Sequence, residues 1–154
     1  MTKYESSHIS FEIPENWVVN FINVDPMLIY SVVAPSLREG YNFMIDINVE
    51  EPNMYMANLD FEALIRIHEE EPSNLHYETV STSLLDHKSG EKIFFILQKH
   101  ISEPTYPLKM SFFMPFANTN ATYSIISGYN QIDAESYAKY EKEILHLIHS
   151  IEVK

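Results

Sequence analysis

The chain has 154 residues, 45% hydrophobic and 21% charged, with 22 acidic against 10 basic side chains and a formal net charge of -12. One soluble globular domain over residues 1–154 is expected from that balance, and its acidity (pI near 4.9) argues against binding nucleic-acid phosphates or an anionic membrane. There is no cysteine, which excludes thiol nucleophiles, thiolate metal sites and disulfides together.

The opening Met1-Thr2-Lys3-Tyr4-Glu5-Ser6-Ser7-His8 has no apolar h-region, so no signal peptide is read and a cytoplasmic location is expected. No apolar run approaches the roughly 18 residues of a membrane span, so no membrane insertion is expected. Ile9, Phe11 and Ile13 alternate with Ser10 and Glu12, the period of a strand with one buried face, and Pro14 ends it. Trp17 leads into a short strand over Val18-Val19-Asn20-Phe21-Ile22. Asp25-Pro26 marks a turn, and Met27 to Ala34, rich in β-branched residues, reads as the next strand. From Asn42 to Glu50, Phe43, Ile45, Ile47 and Val49 point one way while Met44, Asp46 and Asn48 point the other.

After Asn58 the period becomes helical: Phe61, Leu64, Ile65 and His68 share a face, Asp60 can cap, and Pro72 stops the run. Tyr77 to Leu85 and Lys92 to Ile101 read as a hairpin joined by Asp86-His87-Lys88-Ser89-Gly90, with Gly90 free to take a positive φ. Leu108, Met110, Phe112, Met114 and Phe116 alternate strictly, so that strand has a fully buried face. Ala121 to Ser127 is a further strand, which Gly128 is expected to close. Asp133 caps a last helix whose Tyr137, Tyr140, Ile144, Leu147, Ile148 and Ile151 follow the 3.6 period. The order β-β-β-β-α-β-β-β-β-α predicts an α+β domain: a largely antiparallel central sheet of about six strands with two main helices.

Areas carry the functional argument. Six strands span roughly 28 Å, while two helices cover roughly 20 Å, enough for one sheet face. The face opposite the core stripe mixes apolar Met44, Leu84, Phe94, Ile96, Phe113 and Ile126 with polar Asn48, Gln98 and Ser111. One reading is ordinary core, covered by the loops from Val18 to Arg38 and from Pro52 to Asn58 with a helix on each face. The other is an exposed apolar face that binds a partner, suited to a guest helix mixing apolar and small polar side chains.

Catalytic chemistry finds little support. Gly40, Gly90 and Gly128 form no GxGxxG, P-loop or GxSxG motif. The acids of Glu50-Glu51 and Glu69-Glu70-Glu71 occur in runs, which are solvated surfaces as a rule. His146-x-x-His149 puts two imidazoles one turn apart, but no further ligands complete a metal site. No enzyme activity, catalytic residue, metal or cofactor is expected.

The opening Ile9-Ser10-Phe11-Glu12-Ile13-Pro14-Glu15-Asn16-Trp17 and the closing Tyr137…Tyr140…Ile144…Ile148-His149-Ser150-Ile151 resemble the two ends of DcrB-like domains. The resemblance implies the superfold shared by the Mog nuclear-import factor and PsbP, an α/β/α sandwich. It assigns Ile13, Pro14 and Trp17 a structural part. Many relatives of that superfold carry an export signal, which is not seen here, so their roles do not carry over. Effector-associated (Eag) chaperones of type VI secretion share the superfold without a signal. They hold transmembrane-like segments of toxin effectors, commonly as dimers. The resemblance therefore implies a chaperone, with an apolar helical effector segment and a homodimer as expected partners. The alternative is an immunity or regulatory protein whose acidic runs block a basic partner, and a third is an enzyme or lipid carrier with a closed cavity.

Overall fold

The computed structural model describes residues 1–24, 27–35, 37, 43–50, 77–100, 108–117, 123–132 and 134–154. Ten strands and one helix occupy them: β1 (Thr2–Glu5), β2 (Ile9–Ile13), β3 (Val18–Val24), β4 (Met27–Ala34), β5 (Phe43–Glu50), β6 (Tyr77–Asp86), β7 (Lys92–His100), β8 (Leu108–Ala117), β9 (Tyr123–Ile132), α1 (Ala134–Ser150) and β10 (Glu152–Val153).

The expected fold class is overturned. The structure is mostly β, with a seven-stranded sheet in the order β3-β4-β5-β9-β8-β7-β6 and a separate three-stranded sheet in the order β1-β2-β10. The large sheet has seven strands and not six, and among the described residues α1 is the only helix. The helix expected after Asn58 lies outside the described residues. Strand β2 pairs outside the large sheet, with Thr2–Glu5 on one side and Glu152–Val153 on the other, two strands too short and too polar to read from periodicity. The strand expected to close at Gly128 instead runs through it to Ile132. Its continuous pairing with β8, Gly128 opposite Phe112, outweighs the local signal of one glycine.

The core lies between one face of the large sheet, the small sheet and α1. The large sheet contributes Tyr30, Val32, Phe43, Ile45, Ile47, Ile93, Phe95, Met110, Phe112 and Met114, the small sheet Ile9, Phe11 and Ile13. Helix α1 buries Tyr140, Ile144, Leu147 and Ile148, a 3.6-period stripe worth about 1.5–3 kcal/mol for each fully buried side chain. Tyr140 anchors it: its ring meets Trp17 edge-on at 5.3 Å and Phe43 at 5.5 Å, and its hydroxyl donates to the Pro35 carbonyl at 2.8 Å. Trp17 is itself buried. At the far end Ser150 Oγ donates to the Leu147 carbonyl and accepts from the Glu12 amide, both at 2.8 Å.

The β6–β7 turn is tied to the chain's end by His87. Gly90 takes φ of 90°, and the buried His87 ring turns inward. The Ser89 amide donates to Nδ1 at 3.1 Å, so the ring proton sits on Nε2, 2.9 Å from the Ile151 carbonyl that accepts it. Burial, followed by the charges of Lys88 and His149, holds this imidazole below its ordinary pKa, against the opposing pull of the Ile151 carbonyl. Beside it, exposed Lys88 pairs with Glu152 at 2.5 Å.

Candidate functional site

Strand pairing sorts the second face of the large sheet into rows. One row crosses all seven strands: Ile22, Ile29, Asn48, Ser127, Phe113, Phe94 and Leu84 stand opposite one another in turn. Toward one end of β3 lie the shorter rows Asn20–Ser31–Asp46 and Val18–Val33–Met44. Parity along β4, β5 and β7 sends the alternate residues Tyr30, Ile45, Ile47, Ile93 and Phe95 into the core.

The structure therefore keeps Met44, Asn48, Leu84, Phe94, Ile96, Gln98, Ser111 and Phe113 on one face by register. It does not make that face one open groove. Phe94 and Ile96 are 0% and 2% exposed and Ser111 is buried, whereas Met44 and Leu84 are 46% and 40% exposed. Four strand spacings, about 19 Å, separate β5 from β6, and buried Phe94, Ile96 and Ser111 lie between exposed Met44 and exposed Leu84. Asn48 and Gln98 are half-buried. For Phe113 the register position opposite Phe94 is what is described.

Ile126 is corrected. It stands opposite Met114 and Val49, which belong to the core face, and its neighbour Ser127 takes the position expected of it. The cause is visible in Ser124-Ile125-Ile126-Ser127: two adjacent isoleucines between two serines read equally well in either register, so alternation sets no parity.

The exposed apolar residues gather at the β3 end. Val18, Ile22 and Val24 of β3 are exposed with Met44, while Met27, Ile29 and Val33 of β4 are half-buried beneath them. A polar row divides the patch, with Ser31 Oγ donating to Asp46 Oδ1 at 2.5 Å. Sequence periodicity located β3 but not its exposure. The available signal was that apolar residues occur at both parities, Val18-Val19 and Phe21-Ile22, with no charge from Asn16 to Val24.

No protein-family model matches the chain, and no curated protein does. Among solved structures, cyanobacterial PsbP (CyanoP) from Synechocystis sp. PCC 6803 is similar over 99% of this chain and 92% of its own, with a TM-score of 0.58 at 10% identity. The chain has a PsbP-like fold. At that identity the likeness extends to the fold alone. Within this PsbP-like fold His146 Nε2 lies 3.1 Å from Glu12 Oε2, and among the described residues no three His, Asp or Glu side chains converge as a metal set. Nor, among them, is any helix long and apolar enough to cross a membrane.

Proposed function

We propose that the chain is a non-enzymatic binding protein that shields an apolar segment of a partner protein on the β3–β5 end of its large sheet. The observation that carries this is the cluster Val18, Ile22, Val24 and Met44, exposed together on one sheet face, while β7 buries Ile93, Phe94, Phe95 and Ile96. Water-exposed apolar area of this kind contributes about 25 cal/mol per Å² when a guest covers it. Exposed Asn20, at the outer end of the row Asn20–Ser31–Asp46, offers hydrogen-bonding groups to a guest that carries small polar side chains.

The finer reading is an Eag-type effector chaperone with a DcrB-like domain, working in the cytoplasm. The end motifs and the PsbP-like fold support it, and the guest would be a transmembrane-like helix. The site differs from the one expected from sequence: Phe94 and Ile96 are buried, so of the expected residues Met44 stays and β3 joins it.

A fluorescent leucine–alanine peptide of about 20 residues, the length of a membrane-spanning helix, with uncharged polar ends, is the probe. Saturable binding that survives 1 M salt and weakens at least tenfold in Met44→Glu is the expected result. Absence of saturable binding, or indifference to Met44→Glu, overturns the reading. Release by salt overturns it in favour of an acidic blocker of a basic partner.

A further inference from the structure

The chain has seven methionines and no cysteine, so thioethers are its only sulfur. Those that the structure describes divide by place. Met110 and Met114 are 0% exposed in the core, whereas Met44 is 46% exposed on the second face of the large sheet. Met27 stands three rows from Met44 on that face and is half-buried. Met1, also exposed, precedes β1 of the small sheet. Methionine is an apolar side chain that a mild oxidant turns polar, and its sulfoxide disrupts interfaces that the thioether builds.

We propose that Met44 is an oxidation site: a peroxide converts it to the sulfoxide, and the sulfoxide closes the apolar face to its guest. It rests on the binding reading of this face, in which Met44 is the β5 member of the patch. In the oxidising step the thioether sulfur attacks one oxygen of hydrogen peroxide. An S–O bond forms, the O–O bond breaks, and the proton of the transferred oxygen passes to the departing hydroxide, which leaves as water. Sulfur gives up two electrons and the peroxide takes them. In the return step a methionine sulfoxide reductase draws on two thiols, which become a disulfide while the oxygen leaves as water.

The neighbours of Met44 determine what the added oxygen does. A sulfoxide oxygen accepts hydrogen bonds and donates none. Opposite Met44 stands Val33 and beyond it Val18, which have no proton to offer. On the adjacent row the Ser31 hydroxyl gives its proton to Asp46 Oδ1, and exposed Asn20 is two strands away from Asp46. The oxygen therefore keeps its water. An apolar guest that covers the face must strip that water with no donor in return, which is the cost of burying an unpaired polar group. Met110 and Met114 meet oxidant only when the sheet opens, so they report whether the fold has held.

Brief treatment of the full chain with hydrogen peroxide, ended by catalase before the leucine–alanine peptide is added, tests the proposal. Peptide mapping by mass spectrometry is expected to find the sulfoxide at Met44 and none at Met110 or Met114, with affinity for the peptide down by about tenfold or more. Methionine sulfoxide reductases with dithiothreitol are expected to restore it, and the chain has no cysteine for that reductant to act on. Six other methionines remain (seven minus one), so Met44→Leu locates the effect: measured against its own untreated affinity, it is expected to lose less than about twofold. An unoxidised Met44, an affinity that peroxide leaves unchanged, or a Met44→Leu that loses as much as wild type overturns the proposal and leaves the binding reading standing. An untreated wild type that does not bind the peptide overturns both. Should Met44→Leu fail to fold, protection decides: saturating peptide is expected to slow sulfoxide formation at Met44 and not at Met1, and equal rates with and without peptide overturn the proposal.

Discussion

Replacing Phe94 by alanine tests whether the middle of the second face is covered. Phe94 is 0% exposed, so Phe94→Ala removes a ring with no solvated part and leaves a cavity, at a cost of about 3–5 kcal/mol. For a domain of this length that lowers the melting temperature by about 6–20 °C. Met44→Ala is the control: with 46% of Met44 already in water, its truncation costs about 1 kcal/mol. Trp17 is the sole tryptophan and is buried, so its emission reports unfolding in urea directly. With a slope near 2 kcal/mol/M, Phe94→Ala is expected to move the urea midpoint down by about 2 M and Met44→Ala by about 0.5 M. A Phe94→Ala loss no larger than that of Met44→Ala would refute the reasoning, because an uncovered Phe94 has little burial to lose.

Other outcomes follow from the turn between β6 and β7. Because burial holds the folded His87 below its ordinary pKa, the unfolded chain takes up a proton that the folded chain refuses, so stability falls as pH drops below about 6.5. The loss saturates once the folded ring protonates too. Urea titrations from pH 8 to pH 5 are expected to show a steeper decline for wild type than for His87→Gln, and identical slopes would contradict the neutral tautomer. Gly90→Ala is expected to cost about 1 kcal/mol, since φ of 90° disfavours a side chain although nothing lies within 4 Å of the added carbon. A neutral effect in the same assay would mean that the turn relaxes freely.

Strict alternation made much of this fold legible. Phe43, Ile45, Ile47 and Val49, and likewise Met110, Phe112 and Met114, lie on the core face as their spacing demands, and Tyr140, Ile144, Leu147 and Ile148 line the inner side of α1. Periodicity failed where it is symmetric, at Ile125-Ile126, and where strands are too short to have a period, at β1 and β10. It also could not tell a buried apolar residue from an exposed one on the second face. Phe94 and Met44 are each flanked by apolar residues of the core face, Ile93 and Phe95 or Phe43 and Ile45, and what lies over each is decided by tertiary packing, which local pattern does not encode. The exposed edge at β3 had a local signal, the absence of charge, but that signal acquires meaning only once the strand order puts β3 at a boundary.

The small sheet has a consequence for how the chain reaches its native state. Val153 of β10 stands opposite Ile9 of β2, and 144 residues separate them (153 minus 9). Strand β2 can meet β1 as soon as both have been made, but its other edge stays open until the far end of α1 has been made. At ribosomal speeds of about 5–20 residues per second, that wait is on the order of 10–30 s. A pairing of such high contact order also closes slowly. Ile9 and Phe11, both fully buried at the end, therefore wait longest for their cover, and β2 is where a nascent or newly unfolded chain is most open to capture by proteases and chaperones.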